Sequence, residues 1–316
     1  MESVARVESV ARILFGRWID YAGRFPPASK SLADVVDDFL AYARSDRRWF
    51  LRRLVLAESE WSELSAILND ASPPAVRRSS DPIDVSLVVG SDWEAVGRIE
   101  RDVELDGPAR CVAVEGRWTD AAAWSDIAAW AAGRTVYVEL EPDQVDRCRL
   151  EVLRRHGLAA KFRCGGVRAE MFPPPAALGR FMAACHRAGV PYKLTAGLHH
   201  LERGSYPLTY EPDAPSGMMF GFLGVAVAGL LLAEAPEEIE SAEIESAEIE
   251  SAEIESAMEA ILECSRRDVS LTPERIGWRG RSWDAAACKR FRDLFHSVGS
   301  CSFDEPFAEL NAWVST

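Results

Sequence analysis

Two runs of the chain, AAKFRCGG at 159–166 and PYKLTAGLHH at 191–200, each place a lysine at the same point of a strand-like pattern. Of 36 basic residues only Lys30, Lys161, Lys193 and Lys289 are lysines. Arginine serves where only positive charge matters, so two lysines in matching positions point to a primary amine as the group that is wanted. Alternation along a strand sorts side chains by face. It sets Lys161 and Arg163 against Phe162 and Cys164, and Lys193 and Thr195 against Tyr192 and Leu194. The same rule sets Glu139 of TVYVELE apart from Val136 and Val138, and Glu115 of CVAVE apart from Val112 and Val114. Glu115, Glu139, Lys161, Arg163, Lys193 and Thr195 would then share one polar face. Adjacent cations depress one another's pKa, which would leave Lys161 or Lys193 neutral enough to attack a carbonyl and form a Schiff base while Glu139 moves protons. The same cluster could instead hold a phosphate or carboxylate, or fill a barrel as a buried ion-pair network.

His199 and His200 add a substrate contact or an acid–base group. Neighbours in sequence point apart, and no HxH or HExxH spacing is present, so no metal site is read. VVGSDWEAVG departs from the glycine-rich dinucleotide turn, and no cofactor is expected. Cys164 and Cys301 are possible nucleophiles by type, although a strand cysteine more often packs as a small apolar residue.

The elements that must position these residues alternate. From Asp84 onward, short β-rich runs at 85–89, 111–115, 135–141, 159–166 and 191–200 are each followed by a helical stretch, the first of them around Trp93 to Glu104. Such a rhythm implies parallel strands covered by helices. The expected fold is α/β, a (β/α) TIM-barrel-like domain, complete or irregular, over 79–316, with an N-terminal helical cap over 1–78. Polar faces would then point inward near the C-terminal mouth, where such barrels keep their active sites. SWDAAACKRFRDLFHSVG reads as a last helix and GSCSF as a last strand. The pentapeptide EIESA occurs four times in succession over 238–257. Five residues advance a helix by about 500°, so the isoleucines do not line one face, and the acidic stretch 234–257 reads as an inserted loop or exposed helical extension.

With 48% hydrophobic residues in 316, the chain can bury a sizeable core. Most of its net charge of −14 comes from the ten glutamates between Glu234 and Glu255. An acidic chain without a basic tract fits neither nucleic acid nor an anionic membrane surface. The longest apolar run, 218–232, is short of a membrane span and reads as a buried helix. Seven cysteines without CxxC pairs argue against a zinc ribbon or a disulfide scaffold and for a reducing cytoplasm. The expected partner is a small anionic metabolite; the oligomeric state is left open.

The lysine before TAGLHH (Lys193 to His200) and the GSCSFDEP run (Gly299 to Pro306) resemble the motifs of a family of conserved bacterial proteins, over roughly residues 80–310. That resemblance brings no reaction with it. The chain is also similar, more weakly, to class I aldolases of the deoxyribose-phosphate type, barrels with lysines on two successive strands. This likeness implies a Schiff-base lysine, Lys161 by chain order or Lys193 by its K-x-T-x-G setting, tuned by the other. The expected Ser-Gly-Gly phosphate turn of that type is missing here. Together these readings favour a lyase or isomerase acting on a small anionic carbonyl compound. The alternatives are an anion-binding barrel that uses a carboxylate or histidine for proton transfer, and a non-catalytic binding or scaffold protein.

Overall fold

The computed structural model describes residues 9–69, 82–96, 107–130, 133–234 and 243–314. Seven strands run first: β1 (Ile19–Tyr21), β2 (Leu51–Ala57), β3 (Ile83–Gly90), β4 (Ala109–Arg117), β5 (Thr135–Glu139), β6 (Ala159–Arg163) and β7 (Tyr192–Thr195). A long excursion follows. Among the described residues it holds the hairpin of β8 (Gly204–Pro207) and β9 (Ser216–Met219), three helices, and a three-stranded antiparallel sheet of β10 (Val269–Leu271), β11 (Arg275–Trp278) and β12 (Arg281–Asp284). Strand β13 (Phe295–Ser300) then returns between β7 and β1, and the eight strands β1 to β7 and β13 close a parallel barrel. This is the (β/α) barrel that the alternating pattern implies.

The N-terminal stretch corrects one expectation. Helices are present there, at Val10–Phe15, Leu32–Arg44 and Trp61–Asn69, but β1 and β2 lie among them as barrel strands. Residues before 79 are therefore not a cap placed beside a barrel; they begin it. β1 is only three residues long, too short to register as a period-two pattern among helices. The other end is corrected too. The run SWDAAACKRFRDLFHSVG, expected to be helical through Gly299, is helical only to Leu294, and β13 starts at Phe295.

Helix Phe222–Leu232 is buried at each of its 11 positions, as a helix that is apolar all round must be. It packs against helices Pro175–Ala188, Glu243–Glu263 and Ala285–Leu294. Met218 and Met219, read as part of it, belong to β9 instead. Three of the four EIESA copies lie in helix Glu243–Glu263, and residues 235–242 lie outside the described residues. The helix is not merely an exposed extension: Ala257, Ala260, Ile261 and Cys264 are buried at the spacing of one helical face. The helix expected around Trp93 to Glu104 falls mostly outside the described residues. No helix among the described residues is long and apolar enough to cross a membrane.

Candidate functional site in the barrel interior

Strand alternation builds the interior. Val114, Val136, Val138, Phe162, Tyr192 and Leu194 join the main hydrophobic core between barrel and helices, where Phe162 stacks on Phe181 at 4.7 Å. Ala113, Tyr137 and Ala159 form a separate small cluster on the opposite face. On that inner face stand Glu115, Glu139, Lys161 and Lys193, all buried. Register brings them level, with Glu139 beside Lys161 and Lys161 beside Lys193.

They are joined by a continuous chain of charges. The Lys193 ammonium donates to Asp20 Oδ2 at 2.6 Å and to Glu115 Oε1 at 2.7 Å. Lys161 Nζ lies 2.9 Å from Glu115 Oε2 and 3.0 Å from Glu139 Oε2. Arg163 Nε donates to Glu139 Oε1 at 3.3 Å. Ser86 donates to Glu115 Oε1 at 2.7 Å, and Ser297 donates to Asp20 Oδ2 at 2.8 Å. Below them, Arg52 donates to Ser297 Oγ at 3.0 Å and to the Tyr137 hydroxyl at 2.9 Å. The sequence Asp20, Lys193, Glu115, Lys161, Glu139, Arg163 thus alternates in sign across the barrel. Arg163 is its outer end, with 38% of its side chain exposed, whereas Lys193 is fully buried.

This geometry reverses a premise of the sequence reading. The two lysines are strand neighbours, but one carboxylate, Glu115, takes an oxygen to each. Burial works to lower the Lys161 pKa, and Glu115 and Glu139 outweigh it, so Lys161 is held above its ordinary value of 10.5 rather than depressed. Burial works to raise Glu115, and Lys161 followed by Lys193 pulls it far below the usual carboxylate range. Burial likewise opposes the ionised forms of Glu139 and Asp20; Lys161 and Lys193 respectively are the leading charges that overcome it and lower both.

Of the residues singled out in the sequence, Glu115, Glu139, Lys161, Arg163 and Lys193 meet in this network. Thr195 stands one register step above: a Cβ on Gly299 would lie 2.8 Å from Thr195 Oγ1 and 3.7 Å from Lys193 Nζ. The histidines go elsewhere. His199 Nδ1 lies 3.4 Å from Ser300 Oγ and 3.8 Å from Cys301 Sγ, with burial pushing its pKa down to about 4. His200 pairs with Glu309 at 2.8 Å and stacks on Tyr206. Among the described residues, no group of three or more His, Cys, Asp or Glu side chains is placed to hold a metal ion.

Asp20, Arg52 and Arg53 were not foreseen. Pairing of β1 with β2 runs Ile19 to Leu51 and then Asp20 to Arg53, so Arg52 is an extra residue. Such a bulge re-aims side chains and lets neighbours share a face. The one available signal was an acid between two apolar residues in Ile19-Asp20-Tyr21. A cavity of about 230 Å³ opens at the C-terminal end of β1 and β13, lined among others by Tyr21, Lys30, Tyr210 and Cys301. Neither it nor the cavity beside β10 to β12 is lined by Lys161 or Lys193. The chain matches no protein-family model and no curated protein.

Proposed function

We propose that the protein is a cytoplasmic barrel enzyme, a lyase or isomerase class catalyst for a small anionic metabolite. In this reading Arg163 and Thr195 contact the anion at the C-terminal mouth and Glu139 transfers protons. Lys161 works as a fixed ammonium that stabilises developing negative charge, and Lys193, Glu115 and Asp20 hold it in place. The observation that carries the reading is the graded exposure of one alternating chain: it is sealed at Lys193 and reaches solvent at Arg163. A preorganised charge inside a dry site acts more strongly than one in water. The Schiff-base alternative, suggested by the aldolase likeness, needs a neutral lysine, and two carboxylates hold Lys161 protonated.

Borohydride reduction with short aldehydes and keto acids, read by peptide mass spectrometry, separates these mechanisms. No adduct on either lysine is expected; an adduct at Lys161 or Lys193 restores the Schiff base. For the anion site, pyruvate and inorganic phosphate serve as calorimetric probes, and Arg163→Met should weaken binding by about 10-fold or more, the value of a charge-assisted hydrogen bond. Unchanged binding would remove Arg163 from the site. A non-catalytic barrel is the second reading. It is favoured by the fact that every carboxylate facing the two lysines is already paired, and it predicts no turnover and no anion binding.

A further inference from the structure

The 230 Å³ cavity at the ends of β1 and β13 has aromatic walls and an acidic rim. Tyr42 stacks on Phe303 at 4.2 Å, and Tyr21 meets Tyr42 edge-on at 5.5 Å. Tyr210, between β8 and β9, reaches the cavity while remaining 58% exposed, unusual for so large a ring. Charges around the cavity do not cancel. Asp38 accepts from the Tyr21 hydroxyl at 2.8 Å and from Lys30 at 2.7 Å. Asp304 accepts from the Tyr42 hydroxyl at 2.7 Å and from Arg47 at 2.5 Å. Glu305 accepts from the Ser302 hydroxyl and has no cationic partner among the described residues.

The neighbouring groups register this surplus. Burial, then Asp38, holds the Tyr21 hydroxyl well above its ordinary pKa, and burial, then Asp304, does the same for Tyr42. Burial pushes the Cys301 thiol up to about 11, with Glu305 adding to the rise. In (β/α) barrels the loops after the last two strands and a nearby helix N-terminus commonly receive a phosphate. Here helix Asp304–Val314 opens with Asp304 and Glu305, which already occupy the positive end of its dipole. An anion would meet carboxylates.

We propose that this cavity binds a small organic cation, an alkylated or primary ammonium, with its charge facing Glu305 and its carbon groups against the ring of Tyr210. Aromatic rings attract such cations through their quadrupole. None of the lining residues belongs to the Lys161–Lys193 network, so the site stands independently of the mouth reading.

The test titrates the full chain with choline, tetramethylammonium and butylamine, and with inorganic phosphate for comparison, following intrinsic fluorescence and thermal stability. At least one ammonium probe should bind saturably, more weakly as salt is added, while phosphate leaves the cavity signal unchanged. Glu305→Gln and Tyr210→Ala, both at exposed positions that folding tolerates, should each weaken that binding by about 2- to 5-fold, as an exposed cation–π contact or charge pair would. Three results each overturn the proposal: no saturable effect from any ammonium probe, equal affinity in both variants, or phosphate binding that Glu305→Gln strengthens without any ammonium binding.

Discussion

Glu115 is the hinge of the interior, because its two oxygens accept from Ser86, Lys193 and Lys161 and, among the described residues, no other carboxylate reaches both lysines. Removing one member of a buried charge network leaves its partners uncompensated, which typically costs about 3–5 kcal/mol. Glu115→Gln keeps the shape and deletes the charge. Urea unfolding should show a loss of that order with an unchanged slope; a loss below about 1 kcal/mol would mean that the lysines find other partners. Strand alternation made Glu115, Glu139, Lys161, Arg163 and Lys193 legible in the sequence, since period two needs nothing beyond the strand itself. It could not deliver their pairing. Whether two cations repel or share a carboxylate depends on which strand faces them across the barrel, and Asp20 arrives from a strand too short to be read. Arg52 and Arg53 are adjacent, so simple alternation places them on opposite faces, and the bulge overrides it.

Elements were legible where turn residues separate them and illegible where they do not. Gly189, with φ 62°, ends helix Pro175–Ala188 and lets the next strand be found. No such break stands between helix Ala285–Leu294 and β13, and Phe295 continues both patterns. Helix Phe222–Leu232 shows how closely these elements pack: a Cβ on Gly229 would lie 2.0 Å from Phe291 Cε2. Gly229→Ala should therefore cost about 1–3 kcal/mol by overpacking, despite the better helix propensity of alanine. A thermal melt shifted upward would contradict this. The acidic repeat divides into two parts by the same reasoning. Gly179 lies against Met258 and the Ile254 carbonyl, and Gly224 against Ala260 and Ile261, so residues 254–261 pack closely on both neighbouring helices. Deleting 243–252 should leave the melting temperature within a few degrees, whereas deleting 253–262 removes the face that covers helices Pro175–Ala188 and Phe222–Leu232 and should abolish soluble folded protein. Equal tolerance of both deletions would show that the helix covers nothing.

At the scale of the whole molecule, protonation limits stability on both sides, and the sign follows from each group. Burial holds His186 and His199 at about 4, and burial together with Arg52, Arg53 and Arg292 holds His296 at about 3. An unfolded chain takes up these protons near pH 6.5 while the folded chain refuses them. Their contribution is therefore complete above 6.5 and lost as pH falls towards 3, each at up to about 1.4 kcal/mol per pH unit. Asp20, Glu115 and Glu139, lowered by their lysines, add a second loss only below about pH 4. On the alkaline side, burial raises Cys111 and Cys301 to about 11 and Cys264 and Cys288 to about 12, so the unfolded thiols ionise first and stability declines above about pH 9. Lys161, raised by its carboxylates, contributes fully below 10.5 and joins that decline above it. A plateau from about pH 6.5 to 9 is expected in urea midpoints. Its acid edge assigns the cause: an edge near 6.5 that becomes shallower in His296→Gln identifies the buried histidines, whereas an edge only below 4.5 would mean that they protonate in place and the carboxylate–lysine chain alone sets the acid limit.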